Sequence, residues 1–90
     1  MPRFVVRHHH DADRCPARDP AMGAMLLAHI SEQNARQHGV SVQGEAVIDG
    51  AHTLYVICEA ADRGTVDAFM QPFAAAGEVE IMQGSPCEVV

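Results

Sequence analysis

The dipeptide Asp49-Gly50 separates two runs in which apolar residues recur at every second position, which leaves the middle of this chain few alternatives. Val40, Val42, Ala46 and Ile48 precede it, and the run from His52 to Ala60 follows, with Leu54, Val56 and Cys58 on one parity. Asp-Gly between alternating runs signals a tight β-hairpin, because both residues accept the left-handed backbone that such turns need. A three-residue turn, Asp49-Gly50-Ala51, then places Val42, Ala46, Ile48, Leu54 and Val56 on one apolar face together with Phe4 and Val6 of an N-terminal strand.

On each side of the hairpin lies a strand and a helix. Residues 3–10 alternate Phe4 and Val6 with Val5 and Arg7, a β-rich opening strand. Asp19-Pro20 is a helix start, a carboxylate that can cap free N–H groups followed by a proline at the first helical position. That helix is expected to run to about His38 and stop at Gly39, with an apolar stripe of Met22, Met25, Leu26, His29 and Ile30. After the hairpin, Asp62 can cap a second helix carrying Val66, Phe69, Met70 and Phe73 on one side. Pro72 should kink or split it, and Gly77 should end it. Glu78–Met82 form the last strand.

The order β-α-β-β-α-β is that of a ferredoxin-like α+β domain, a four-stranded antiparallel sheet with both helices on one face. Ninety residues make one such domain, spanning 1–90. The first and third strands are then antiparallel neighbours, which sets His10 beside His52 and Phe4 opposite Cys58. The opposite face of the sheet carries Arg7, His9, Ser41, Gln43, Glu45, Thr53, Tyr55, Ile57 and Glu59, with Val5 and Val47 among them. A mixed face of this kind can pair with a second copy, so a homodimer is expected.

Composition narrows the chemistry. The six basic residues are all Arg, against twelve acidic ones, for a net charge of −6. The absence of Lys excludes Schiff-base chemistry, and the acidic balance argues against nucleic acid, which needs a basic footprint. Hydrophobic residues make up 48 % of the chain, enough for a packed core, but no run approaches the ~20 residues of a membrane span. The N-terminal segment reaches Arg3 and Arg7 before any long apolar stretch, which leads to the expectation of a cytoplasmic protein without membrane partners. The three cysteines, at 15, 58 and 87, form no Cys-x-x-Cys pair and are expected to be reduced.

Six histidines in so short a chain are the feature that composition alone does not explain. Three stand together as His8-His9-His10, fewer than a purification tag carries and in continuation of a strand. Alternation puts His8 and His10 on the parity of Phe4 and Val6, with His9 on the other face. His52 shares the core-facing parity, and the loop with Cys15 hangs over the same end of the sheet. His8, His10 and His52, completed by Cys15 or His29, therefore form a candidate transition-metal site for Ni, Cu or Zn. Asp11 or Asp13 could orient a ligand imidazole from behind. Each residue also has a plainer reading: His52 as a polar strand start, His29 as a hydrogen-bonded core histidine, Cys58 as a small buried hydrophobe, and Met22, Met25 and Met70 as core filling. His38 before Gly39 suits a helix C-terminus, and Cys87 reads as an exposed thiol or a dimer contact.

The opening Met1-Pro2-Arg3-Phe4 strand running into a histidine cluster resembles a group of small bacterial ferredoxin-like proteins of unknown function, some of which bind nickel. His38-Gly39-Val40 after the first helix and Leu54-Tyr55-Val56-Ile57-Cys58-Glu59-Ala60 before an Asp62-capped helix carry the same likeness. The resemblance implies a dimeric metal-binding protein. The longer 11–19 loop, Cys15-Pro16 and the Cys87 tail depart from it and leave the metal open.

Two functional classes therefore stand. One is a metal-binding protein for sequestration, delivery or sensing. The alternative is a dimeric α/β-barrel enzyme, or a small-molecule or haem binder, with its pocket between sheet and helices and His8 or His29 as base or axial ligand. An interaction subunit with incidental histidines is the bland third.

Overall fold

A computed structural model describes residues 1–15 and 19–87. The elements are β1 (Arg3–His9), a 3-10 turn (Ala12–Arg14), α1 (Pro20–His29), α2 (Glu32–Gln37), β2 (Val40–Ile48), β3 (Thr53–Ala60), α3 (Arg63–Phe69), α4 (Gln71–Ala76) and β4 (Glu78–Gly84). The strands form one antiparallel sheet in the order β2-β3-β1-β4, the ferredoxin-like arrangement expected from the element order, with each helix of that pattern divided in two. None of the described helices is long and apolar enough to cross a membrane.

Local chemistry explains the helix boundaries. The Asp19 carboxylate accepts from the Ala21 and Met22 amides at 3.1 and 3.3 Å, with Pro20 at the first helical position. The helix expected to reach His38 instead breaks at Ile30, because Ser31 starts a new one by accepting from the Asn34 amide at 3.4 Å. Asn34 holds the break together by donating its side-chain amide to the His29 carbonyl at 2.7 Å. Asp62 caps α3 through the Thr65 amide and hydroxyl, both at 2.8 Å. As expected, the helix that follows divides near Pro72, which sits in the first turn of α4. Gly39 takes φ 77° after α2, a left-handed backbone that glycine adopts at no steric cost.

The core lies between the sheet and the helices. Phe4, Val6, Val56, Cys58 and Ile81 come from the strands and meet Leu26, Ile30, Val66, Phe69, Met70 and Phe73 from the helices. Cys58 is buried opposite Phe4, and burial pushes its thiol up to about 11, so it acts as a small apolar side chain. Met70 is core filling as expected. Met22 and Met25 are not, being 40 % and 54 % exposed, because α1 turns Leu26 and Ile30 inward and leaves both methionines on its outer side.

The sheet departs from simple alternation at one place. Val42 pairs with Cys58 and Gly44 with Ile57, so Gln43 is an extra residue, a β-bulge. One added residue flips every later side chain of β2 to the other face. Glu45 and Val47 consequently oppose Val56 and Leu54 on the helix-facing side, and Ala46 and Ile48 lie on the other, the reverse of what unbroken period-two alternation predicts. The expected pairing of β1 with β3 is found as drawn, from Arg3 opposite Glu59 to His9 opposite Thr53.

At the end of β1 the backbone is crowded. A Cβ on Gly77 would run into the His9 carbonyl oxygen and come within 3.0 Å of both the His10 Cβ and His8 Nε2. Gly77→Ala should therefore destabilise the fold by about 2 kcal/mol through overpacking, measured as a lower urea midpoint at unchanged m-value. An unchanged midpoint would show that α4 and β4 can shift to make room.

Candidate functional site

Beyond the apolar rows of β1, the same strand presents histidine, and a chamber of about 330 Å³ opens there between the sheet and α1. Leu26, Leu27 and Gly23 of α1 form one wall and Phe73 of α4 closes the inner end. The opposite wall is Leu54 of β3 with Val47, which the bulge at Gln43 has turned to this side. His8, His10, His52, Cys15 and Asp49 supply the polar groups. The space is open to solvent along Leu27 and Val47, and a mostly apolar cleft with a few convergent polar groups is the usual form of a small-molecule site.

His8 is the deepest of the histidines, only 2 % exposed. Its ring meets Phe73 edge-on at 5.2 Å and lies 5.5 Å from the His10 ring. Its Nε2 is buried without a hydrogen-bond partner, on the side facing Gly77. Burial, and then the neighbouring His10, lower the His8 pKa below its ordinary value; the Phe73 backbone opposes and His9 adds to the shift. His10 is half-buried, and both its ring nitrogens are closed off without a partner. Its pKa is lowered too, by burial first, then by His52 and His9, with Asp11 pulling the other way. Buried imidazole nitrogens without partners are rare in native folds and call for an explanation.

His52 stands at the mouth in an unexpected backbone state. Strand β3 begins only at Thr53, and His52 occupies the hairpin turn at φ 50°, a left-handed conformation uncommon outside glycine. The turn is thus one residue longer than the sequence suggests, and closes with the Ala51 amide donating to the Ile48 carbonyl at 3.1 Å. The His52 carbonyl accepts from the His10 amide at 3.2 Å, which ties the hairpin to the end of β1 and leaves the two rings 5.3 Å apart. Cys15, half-buried, completes a group with His10 and His52 in which one donor atom from each lies within 4.8 Å of the others.

Of the five candidate ligands, the structure gathers His8, His10, His52 and Cys15 around one chamber. His29 lies apart from it. Its Nε2 donates to the Phe69 carbonyl at 2.5 Å, Asn34 donates to its Nδ1 at 3.3 Å, and its ring stacks on Phe69 at 4.7 Å. With both nitrogens engaged it is a packing histidine. His38 bonds the Asn34 carbonyl at 3.0 Å at the end of α2, the role suggested by its position before Gly39. His9, on the outer face, donates to the Thr53 hydroxyl at 3.0 Å, and that hydroxyl donates on to the Ala51 carbonyl at 2.9 Å. Cys87 is exposed, and residues 88–90 of the tail lie outside the described residues.

Sequence reasoning did not find Val47, Leu27, Phe73 or Gly77 as parts of the site. Val47 is there only because of the bulge, for which Gly44 inside the strand pattern is the available signal. Phe73 and Gly77 could have been found from the proximity of α4 to the end of β1.

No family model matches this chain, and no curated protein matches it. Two solved structures share its fold. One is a Deinococcus radiodurans protein described as a putative antibiotic biosynthesis monooxygenase, with 16 % identity over 100 % of this chain and 96 % of that one, at a TM-score of 0.58. The other, described as an antibiotic biosynthesis monooxygenase, has 11 % identity over 96 % of this chain and 98 % of its own, at a TM-score of 0.54. At such identities the likeness establishes a common ferredoxin-like fold over the whole domain.

The lowered pKa values of His8 and His10 give stability a definite pH dependence. Unfolded imidazoles protonate near 6.5, before the folded ones, so below that pH the unfolded state binds more protons. Stability of the metal-free protein should be level between about pH 7 and 8 and fall as the pH drops below about 6.5; the raised Cys58 thiol adds a separate fall on the alkaline side. His8→Leu should flatten part of that fall; superimposable wild-type and variant profiles in thermal melts would rule His8 out as its source.

Proposed function

We propose that this protein binds a small, largely apolar organic molecule in the chamber between α1 and the sheet and catalyses proton transfer and oxygenation of it. The observation that carries the reading is the chamber itself: about 330 Å³, walled by Leu26, Leu27, Leu54, Phe73 and Val47, with imidazoles at its inner end and mouth. Its volume suits a ligand of one or a few fused rings. The oxygenase element comes from the two fold neighbours, both described as monooxygenases, and is a hypothesis for this chain.

Histidines whose pKa values are held below the ordinary value stay neutral at physiological pH and can accept a proton. A suitable substrate is a phenol or a methylene acidified by an adjoining ketone. Removal of its proton leaves an electron-rich anion for dioxygen to attack. For a methylene, both C–H bonds give way to a carbonyl and the O–O bond breaks. One oxygen atom enters the product and the other leaves as water with the two hydrogens, so the substrate supplies all the electrons and no further reductant is needed. His10 is the candidate base once its ring turns a nitrogen, closed off in this conformation, towards the chamber; His52 stands beside it and His8 holds the inner end.

The test is oxygen uptake with an anthrone-type ketone, paired with binding of the same compound under argon. Binding in the micromolar range, with His10→Ala or His52→Ala cutting turnover ~100-fold or more while leaving binding within a few-fold, is the expected result. Absence of both binding and uptake would overturn the reading.

The outer face favours a second copy as partner. Ile57 and Met82 flank Val5 across the three strands β3, β1 and β4, at 40 % and 39 % exposure, and form an apolar row that a symmetry-related sheet can cover. We propose a homodimer through this face. Light scattering should give twice the chain mass at micromolar concentration, and Ile57→Glu should halve it; a monomeric wild-type protein would remove the proposal.

A second functional reading, a protein that holds a transition-metal ion, is favoured by His10, Cys15 and His52 at the mouth.

A further inference from the structure

We infer that His10, Cys15 and His52 form a two-imidazole, one-thiolate site for a thiophilic ion of low coordination number, Zn2+ or Cu+, and that its open position faces the chamber. The inference rests on the metal-ion reading and adds the class of ion, its coordination and the direction of the open position.

Three observations carry it. The donor atoms of the three side chains lie within 4.8 Å of one another. Four-coordinate zinc, with bonds of about 2.0 Å to nitrogen and 2.3 Å to sulfur, needs donor separations of roughly 3.3–3.8 Å. The cluster therefore needs to contract by no more than about 1.5 Å, within the reach of side-chain rotation in a metal-free protein.

The second observation is His10. Its two nitrogens are shut off from water and bond to nothing, so neither solvation nor the fold accounts for them. A bound ion would satisfy one.

The third is location. His10, Cys15 and His52 all line the chamber, so an ion held among them presents its remaining position to whatever the chamber holds. His8 is not one of the clustered donors, and its Nε2 is turned towards Gly77.

The donor set selects the ion. A thiolate with two imidazoles favours Zn2+ or Cu+, whereas Mg2+ and Ca2+ need oxygen donors. Three protein ligands with one position left open is the pattern of catalytic zinc, in which the ion polarises a bound carbonyl or phenolate oxygen. The backbone braces the site from two sides: the His10 amide donates to the His52 carbonyl at 3.2 Å, and the left-handed turn fixes where the His52 ring starts.

Co2+ is the probe for the zinc-like state. Titration of the full chain, purified without a histidine tag, should bind one Co2+ per chain with the intense visible absorption of four-coordinate cobalt and a near-ultraviolet thiolate-to-cobalt band. Zn2+ and Cu+ should each displace the cobalt, with relative affinities read by competition against a chelator. Cys15→Ser should abolish the thiolate band, and His10→Ala and His52→Ala should each weaken binding at least 10-fold. Cys87→Ser and His38→Gln should change neither. Azide should shift the visible bands by entering the open position.

Lack of any stoichiometric binding would overturn both this inference and the metal-ion reading. Binding with only the weak absorption of six-coordinate cobalt, or a thiolate band that survives Cys15→Ser, would overturn the site while leaving metal binding in place. Bands unmoved by azide would overturn the open position. Organic-ligand binding measured on metal-free Cys15→Ser separates these outcomes from the fate of the chamber itself.

Discussion

Strand β1 is hydrogen-bonded along both edges, to β3 and to β4, and the point where that central strand changes from apolar to polar sets the placement of everything around it. Its inward row reads Phe4, Val6, His8. The first two anchor the core against Phe69, Met70 and Val66, and the third reaches the depth of a core residue with an imidazole in place of a hydrocarbon. Because β1 cannot slip without losing two ladders at once, the histidines beyond Val6 are held at a fixed height beside the β2–β3 hairpin. A peripheral strand would not hold them so.

That placement produces a chamber with two kinds of wall. Leucines, valine and phenylalanine give it an apolar lining, and the histidines and Cys15 give it a reactive rim. The two are coupled by ordinary sheet geometry. The bulge at Gln43 turns Val47 inward across from Leu54, and the long turn at residues 49–52 carries His52 over the end of β1. Gly77 allows β4 and α4 to approach β1 closely enough to seal His8. Removal of any one of these would leave the same fold and a different cavity.

Element order and strand pairing are legible in the chain because they rest on period-two alternation, Asp-Gly at the turn, Asp caps at 19 and 62, and Pro72. Each of those acts over a few residues and has one dominant physical outcome. The failures have the opposite character. Ser31 is a competing cap inside an otherwise continuous helical pattern. Gln43 is an extra residue marked only by the neighbouring Gly44, a weak bulge signal, and it reverses the facing of Glu45 to Ile48. The stripe on α1 fails because that helix is apolar on most sides, so periodicity cannot say which side is inside.

The candidate site divides in the same way. Strand parity and antiparallel pairing, both readable from residue order, were enough to put His8 and His10 on one face, His10 next to His52, and Cys15 nearby. Three-dimensional packing was needed to show that His29 belongs to a different environment, locked between the Phe69 carbonyl and Asn34, because that depends on how α1 rolls against α3. Packing was needed, too, to show that the histidines border an apolar chamber, because a cavity is made by where several elements fail to touch. Local sequence rules describe neighbours along a strand or helix; the empty space among β1, β3, α1 and α4 is a property of all of them together.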